Sequence, residues 1–576
     1  MSGDSTFTAA MGGVDVPLTI EPVLPTTVGE VYEEKKADLV QEALAAPTSN
    51  ARDFTDPAVR FESETTHRGE FGTRRDLKPR HVSMIAVAGT IGTGLFLGSG
   101  ASLVNGGPVG FFLGYAIVGS FVGMMMYCLG EMTVYSPNIG GFIEMGNKYI
   151  SPEVGFAMGI NSILQYGLAI PAEISAIAVM IGYWDPVTSH VPVYIAVFLL
   201  VSIGINLVGI KFYGEVEFVL AGVKVLMLLA LILFGLIADV GGINHVYTGG
   251  RYWREEPFND TFENLSPVSL ARFLGFWKVL TQAAFAFGGI ESIAVIAGEA
   301  HNPRRTMRMA VRTVFYRIVG LYLLTVLMIG LNISQHSSDL LSAVAMGGST
   351  AASSPFVVIC QQVGVKVLPS VINAVVMTSA LSACNENVYA VSRILLAMAR
   401  QMLSPDEPAG STVLGNRSVI LLWTLGLSLC LERFGAGVHL ALQPVRLIAW
   451  ITVCACYTRF KRALLVQGVD RSKLLLRGWC QPYMAWACIV SFTIILVFNG
   501  FTAFLHQFSV SDFFASYITL PVFGLCWIGF RLVKKDVIGM ARLEDIDLSN
   551  GPEQALRETR YDLTAAHGLV QPVVKG

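Results

Sequence analysis

Two stretches decide the reading of this chain: MIAVAGTIGTGLFLGSG (Met84–Gly100) and FAFGGIESIAVIAGE (Phe285–Glu299). Each is apolar enough for a membrane helix, and each is crowded with residues that let a helix come apart. The first carries Gly89, Gly92, Gly94, Gly98 and Gly100; the second carries Gly288 and Gly289 beside the acidic Glu291. Glycine in a membrane helix often serves only close packing against a neighbour. Position argues for more here, because the two stretches fall in the first and sixth apolar segments, corresponding places in two five-segment halves. Paired glycine-interrupted helices at matching positions point to a ligand site near the bilayer midplane.

The rest of the chain supports a membrane reading. Of 576 residues, 53% are hydrophobic and 14% charged, and mean hydropathy is +0.57. Soluble domains carry about 25% charged residues. A helix needs about 20 apolar residues to cross the hydrocarbon core, since unsatisfied backbone groups are costly there. Candidate spans run near 82–104, 109–130, 154–182, 191–209, 216–238, 276–297, 313–333, 367–392, 417–432, 438–458, 482–504 and 512–531. The expected fold class is therefore an all-α membrane protein of about twelve transmembrane helices; a porin-type barrel would show period-2 alternation. Net charge is −2, which gives no sign of nucleic-acid binding. The nine cysteines show no metal-ligand spacing, so neither a metal nor another cofactor is expected.

Positive charge sets the orientation. With the N-terminus inside, cytoplasmic connections receive Arg74, Arg75, Lys78 and Arg80, then Arg304, Arg305, Arg308 and Arg312. They also receive Arg459, Lys461, Arg462, Arg471, Lys473 and Arg477, and finally Arg531, Lys534 and Lys535. Outer connections hold few: Arg251, Arg254, Arg272, Lys366 and Arg433. Both termini are expected in the cytoplasm, with residues 1–79 a disordered tail, 80–535 the transmembrane domain and 536–576 a second tail. Asn259 and Asn264 head glycosylation-type triplets in the long outer loop.

Unwinding of the first stretch would expose amides of Thr90, Ile91, Gly92, Thr93 and Gly94 at the start of a half-helix, where the dipole favours a carboxylate. Carbonyls released around Phe287 and Gly288, next to Gly289, would suit an ammonium group. Together they describe a zwitterion of amino-acid size. Ionisable residues inside the membrane are functional candidates by default. Glu173 lies deep in the third span beside Pro171. Glu291 follows the glycine pair of the sixth span. Lys224 lies early in the fifth, where it either snorkels to the cytoplasmic face or exchanges a proton in a desolvated site. Glu131, Glu299 and Arg304 fall at inner helix ends and read as gating or topological ion pairs.

These segments, together with GEMTVYSP (Gly130–Pro137), IPAEISA (Ile170–Ala176), GEAHNPRRT (Gly298–Thr306) and SACNENVYAVSRIL (Ser382–Leu395), resemble fungal amino-acid permeases of the amino acid–polyamine–organocation superfamily. The resemblance implies a leucine-transporter-like fold: inverted five-helix repeats at about 80–240 and 270–460, plus two extra helices at about 480–532. It also implies a plasma-membrane permease that carries amino acids by proton symport with alternating access, with Glu173 and Lys224 in coupling. The expected partners are the amino-acid substrate, protons and the lipid bilayer, with trafficking or ubiquitination machinery at the N-terminal tail. Within the family pattern Glu386 is unusual, since a small residue is more common there. Between Gln401 and Leu447 the pattern breaks: one apolar run is short, and the next carries Gln443, Pro444 and Arg446 at its middle. An Arg at the bilayer centre costs about 2.5 kcal/mol or more. An interrupted reading frame explains the break, and so does a diverged tenth helix.

Two other functions compete. A permease-like amino-acid sensor would keep the binding site but call for a longer cytoplasmic tail. A multi-pass membrane enzyme would need a His-rich metal box, a nucleophile elbow or a carboxylate-rich loop, and the sequence offers none.

Overall fold

The computed structural model describes residues 77–86, 91–137, 141–243, 245–300, 303–345, 354–402, 436–505, 507–534 and 539–548. All belong to the unit Thr65–Gly576. The described regular structure is helical, apart from one isolated bridge between Leu77 and Ala300. The first apolar segment is split into α1 (Pro79–Met84) and α2 (Thr93–Phe96), and α2 leads into α3 (Gly98–Tyr135). Within α3 the chain turns at Gly107, where φ is +71° and an added Cβ would lie 2.7 Å from the Phe258 backbone. Only glycine fits a left-handed turn pressed so close to another strand of chain. Pro108 then opens the long second helix with its φ already set.

A short helix, α4 (Phe142–Tyr149), precedes α5 (Pro152–Ile181), which Ser151 caps through the Val154 amide at 3.4 Å. Next come α6 (Val191–Val208) and α7 (Ile210–Asp239), parted at Gly209. The outer loop holds α8 (Arg251–Glu255). The sixth segment is again two pieces, α9 (Val268–Ala286) and α10 (Ser292–Ala297). The seventh runs through α11 (Pro303–Tyr316), a π-helical stretch (Arg317–Leu323) and α12 (Leu324–Asn332). After α13 (Ser338–Ala345) and α14 (Pro355–Val363) come α15 (Leu368–Met402), α16 (Ala436–Val466), α17 (Tyr483–Val497) and the pair α18 (Val510–Tyr517) and α19 (Thr519–Val533), bent by 44°. Six of the described helices are long and apolar enough to cross a membrane, seven if the bent pair is one span. The expected span at 417–432 and most of both expected tails lie outside the described residues.

Polarity along α7 runs opposite to that of a helix in water. Glu217 and Lys224 are fully buried, while Leu226 is 70% and Leu233 57% exposed. On α6 and α19, Leu200, Val208, Leu525 and Leu532 are likewise exposed. Such a contiguous apolar exterior is favourable only against lipid. Lys224 therefore sits inside the bundle rather than snorkelled out. The eight described cysteines are all free.

The chain after α19 returns to the helix bundle. Ala541 donates its amide to Ile150 O at 2.9 Å, and the Tyr135 hydroxyl donates to Leu548 O at 2.7 Å. Asn259 is buried, with its amide on Val104 O at 2.8 Å and its carbonyl accepting from the Thr261 amide. That side chain holds a turn and is not presented for a glycan; Asn264 is exposed.

Candidate functional site

Unwinding of the first segment leaves Ile91 and Gly92 without helical structure. Ile91 O accepts from Ser379 Oγ of α15 at 2.8 Å, so the broken strand is tied to a neighbouring helix. The Thr93 amide donates to Glu173 Oε2 of α5 at 3.3 Å. An added Cβ on Gly92 would lie 2.6 Å from Glu173 Oε1 and 3.1 Å from Ala383 Cβ. An added Cβ on Gly94 would lie 3.0 Å from Ala286 Cα and 3.2 Å from the Phe285 ring, at the sixth-segment break. The two breaks thus touch. Thr90 lies outside the described residues.

At the sixth segment, α9 ends on Ala286 and Gly289 takes φ +87° before α10 begins. A helix end leaves carbonyls without intrahelical partners. Phe285 O accepts the Gly288 amide at 3.1 Å, and Ala286 is the last residue of α9. Side chains hold both carbonyls: Arg446 Nη1 donates to Phe285 O at 2.5 Å, and the Tyr322 hydroxyl donates to Ala286 O at 3.1 Å. Phe287 is turned into the core and stacks on Tyr322 with ring centres 4.6 Å apart. Glu291 is fully buried and accepts from Gln165 and from Trp450 Nε1 at 3.0 Å. It braces α5 and α16 against the break.

Between the breaks lies a cavity with about 470 Å³ of empty space, part of it open to solvent. Of the expected residues, Gly92, Gly94, Glu173, Gly288 and Gly289 line it; Ile91, Thr93, Phe287, Glu291 and Lys224 do not. Phe285, Gln165, Tyr166, Glu386, Asn387 and Arg446 complete the polar and aromatic wall. Ser292 Oγ donates to Glu386 Oε1 at 2.5 Å, from the first residue of α10. Nothing in residue spacing alone pointed to Arg446, since its burial is decided by how α16 packs on the sixth segment. That α16 is one continuous helix through Pro444 places Gln443 and Arg446 inside the protein rather than in lipid.

A second buried polar cluster lies beside the cavity. Glu217 accepts from Ser382 Oγ and from Asn385 Nδ2, each at 2.6 Å. Lys224, two turns on along α7, is within electrostatic reach of Glu217, Glu386 and Glu173. At one end of the bundle Glu299 pairs with Arg393 at 2.6 Å and accepts from the Tyr389 hydroxyl at 2.7 Å. Glu131 pairs with Arg471 at 2.7 Å and also accepts from the Tyr457 hydroxyl and the Gly478 amide. Both acids act as ties between helix ends, as their positions in the sequence suggest.

The sequence profile of the amino acid permease family matches residues 81–540. The chain belongs to the amino acid permease family. This permease is accordingly an integral, multi-pass membrane protein of amino-acid transport. It is 34% identical over 538 residues to the dicarboxylic amino acid permease of Saccharomyces cerevisiae, covering 91% of this chain and 87% of that one. The lysine-specific permease of the same yeast is 34% identical, over 85% and 81% of the two chains. The proline-specific permease of Emericella nidulans is 31% identical, over 85% and 90%. All three relatives are named as transporters, which favours transport by this permease over sensing and over catalysis.

Proposed function

We propose that this permease carries an amino acid across the plasma membrane by alternating access, driven by proton symport, with both termini cytoplasmic. Its twelve spans would form two inverted five-helix repeats, about 80–240 and 270–460, followed by two extra helices at about 480–532. The observation that carries the proposal is the meeting of the two helix breaks, 91–92 and 287–291, at one polar cavity. A substrate carboxylate belongs at the Gly92–Thr93 amides, where Glu173 now sits, because the peptide dipoles there favour negative charge. A substrate ammonium belongs near the acids of the wall, Glu173 and Glu386.

Glu173 and Lys224 are the proposed coupling pair. Lys224 is fully buried, and a buried charge is tolerable only while its surroundings compensate it. Gain or loss of a proton there changes which arrangement of the neighbouring acids is favoured. Such a switch shifts the equilibrium only by the difference in proton affinity between two states. The relatives named above carry dicarboxylic amino acids, lysine and proline, so family membership leaves the substrate class open. Uptake of a labelled amino-acid panel in cells lacking their own permeases, with and without a proton uncoupler, tests the proposal. Uptake that exceeds the vector control and collapses with uncoupler supports it; uptake unaffected by uncoupler removes the proton part.

A further inference from the structure

We infer that Arg446 is a specificity-determining residue of the cavity and selects substrates with a second carboxylate, acidic amino acids. This rests on the cavity being the substrate site. Arg446 is 8% exposed and lines the cavity. Its guanidinium lies over the Phe285 ring, 4.7 Å from the ring centre, and donates through Nη1 to Phe285 O. On another side it lies against Gly288, where an added Cβ would run into it. Backbone and ring therefore hold the group in a fixed orientation.

A guanidinium has five N–H donors in a rigid fork suited to a carboxylate. In this cavity Nε is buried without a hydrogen-bond partner, and the ion pairs among the described residues leave Arg446 out. The hydrogen bonds given for the nearby acids go to other donors: Glu291 accepts from Gln165 and Trp450, and Glu173 Oε2 accepts from the Thr93 amide. The carboxylates of Glu291 and Glu173 supply negative charge within electrostatic reach of Arg446, but no hydrogen-bond acceptor fills the buried Nε donor, and leaving such a donor unfilled is costly.

The wall also carries the complementary vacancy. Glu386 Oε2 is buried without a partner, while Oε1 accepts from Ser292. An α-ammonium at Glu386 and an α-carboxylate at the first break leave the guanidinium for the substrate's own side chain. A side-chain carboxylate completes it. A neutral side chain leaves the donor unpaired, and a cationic one brings like charges together.

The test uses the full-length chain in cells lacking their own permeases, with labelled glutamate, proline and lysine. The wild type is expected to take up glutamate with the lowest KM. Arg446→Gln should cut the glutamate-over-proline preference by about ten- to a hundredfold, the size expected when a charged hydrogen-bond partner is lost. Arg446→Lys should retain part of that preference, since it keeps the charge but not the fork. A wild type that prefers proline or lysine overturns the inference, and so does an Arg446→Gln variant that weakens all three alike. If Arg446→Gln does not reach the surface, competition in the wild type decides. Unlabelled aspartate must then displace substrate better than proline or lysine does; the reverse order overturns the inference. Thermal stabilisation of the purified protein by the same compounds separates binding from transport. Stabilisation by glutamate without uptake sinks the transport proposal while the role of Arg446 stands; stabilisation by lysine or proline but not glutamate sinks the role of Arg446.

Discussion

The Thr93 amide donates to the Glu173 carboxylate at 3.3 Å, so a side chain from α5 covers the opening turn of the half-helix after the first break. A carboxylate of the protein stands where a carboxylate of the substrate is proposed to bind. Entry of substrate then requires Glu173 to move, which links occupancy of the site to the acid assigned to coupling.

The glycines at the break should separate by what lies beside them. A Cβ at Gly92 meets the mobile end of Glu173, whereas a Cβ at Gly94 meets the Ala286 backbone, which cannot give way without shifting the sixth segment. Gly94→Val should abolish uptake while surface expression persists. Gly92→Ala should leave residual uptake with a raised KM. Uptake kinetics paired with surface biotinylation measure both; normal uptake by Gly94→Val removes the break from the mechanism.

Lys224→Ala should still bind substrate but lose concentrative uptake and its dependence on external acidity. Its ammonium group is fully buried beside Glu217, Glu386 and Glu173. Accumulation against a gradient as a function of external pH is the measurement. Unchanged accumulation and pH dependence would place the coupling site elsewhere.

The Glu131–Arg471 tie carries a prediction about stability. Glu131 is buried and accepts from Arg471, Tyr457 and the Gly478 amide. Removing one partner of a buried ion pair costs about 3–5 kcal/mol, because the other charge is left uncompensated. Arg471 is partly exposed, so Glu131→Gln should fall at or below that range and lower the melting temperature in detergent. Adding Arg471→Gln should cost less than the sum of the two single changes. Strict additivity would mean that the pair is not coupled.

Topology is testable with protease tags. A tag at residue 1 or residue 576 should be shielded in intact cells, and one at the exposed Asn264 should be cleaved. Cleavage at residue 576 would change the span count, and residues 403–435, outside the described structure, are where a span would be gained or lost.

Much of this arrangement could be read in the sequence. Gly288 and Gly289 mark the sixth-segment break, and Glu173 reaches the first break as its depth in the third span suggests. Local pattern reports where a helix can open, but not which side chains a neighbouring helix brings to the opening. Glu291, next to the glycine pair, braces Gln165 and Trp450, contacts across 126 and 159 residues of chain. Phe285 rather than Phe287 faces the cavity, a matter of how α9 ends. Arg446 read as a cost in the bilayer because its surroundings, Phe285 and Gly288, lie on another helix. Lys224 allowed two readings until the packing of α7 buried it.

The most direct test is uptake by the purified permease in liposomes with an acidic exterior, across a labelled panel of acidic, neutral and basic amino acids. At least one amino acid should accumulate above its external concentration, and the accumulated label should be released when uncoupler is added. If no member of the panel enters faster than into protein-free liposomes, the account of the cavity as a transport site is wrong.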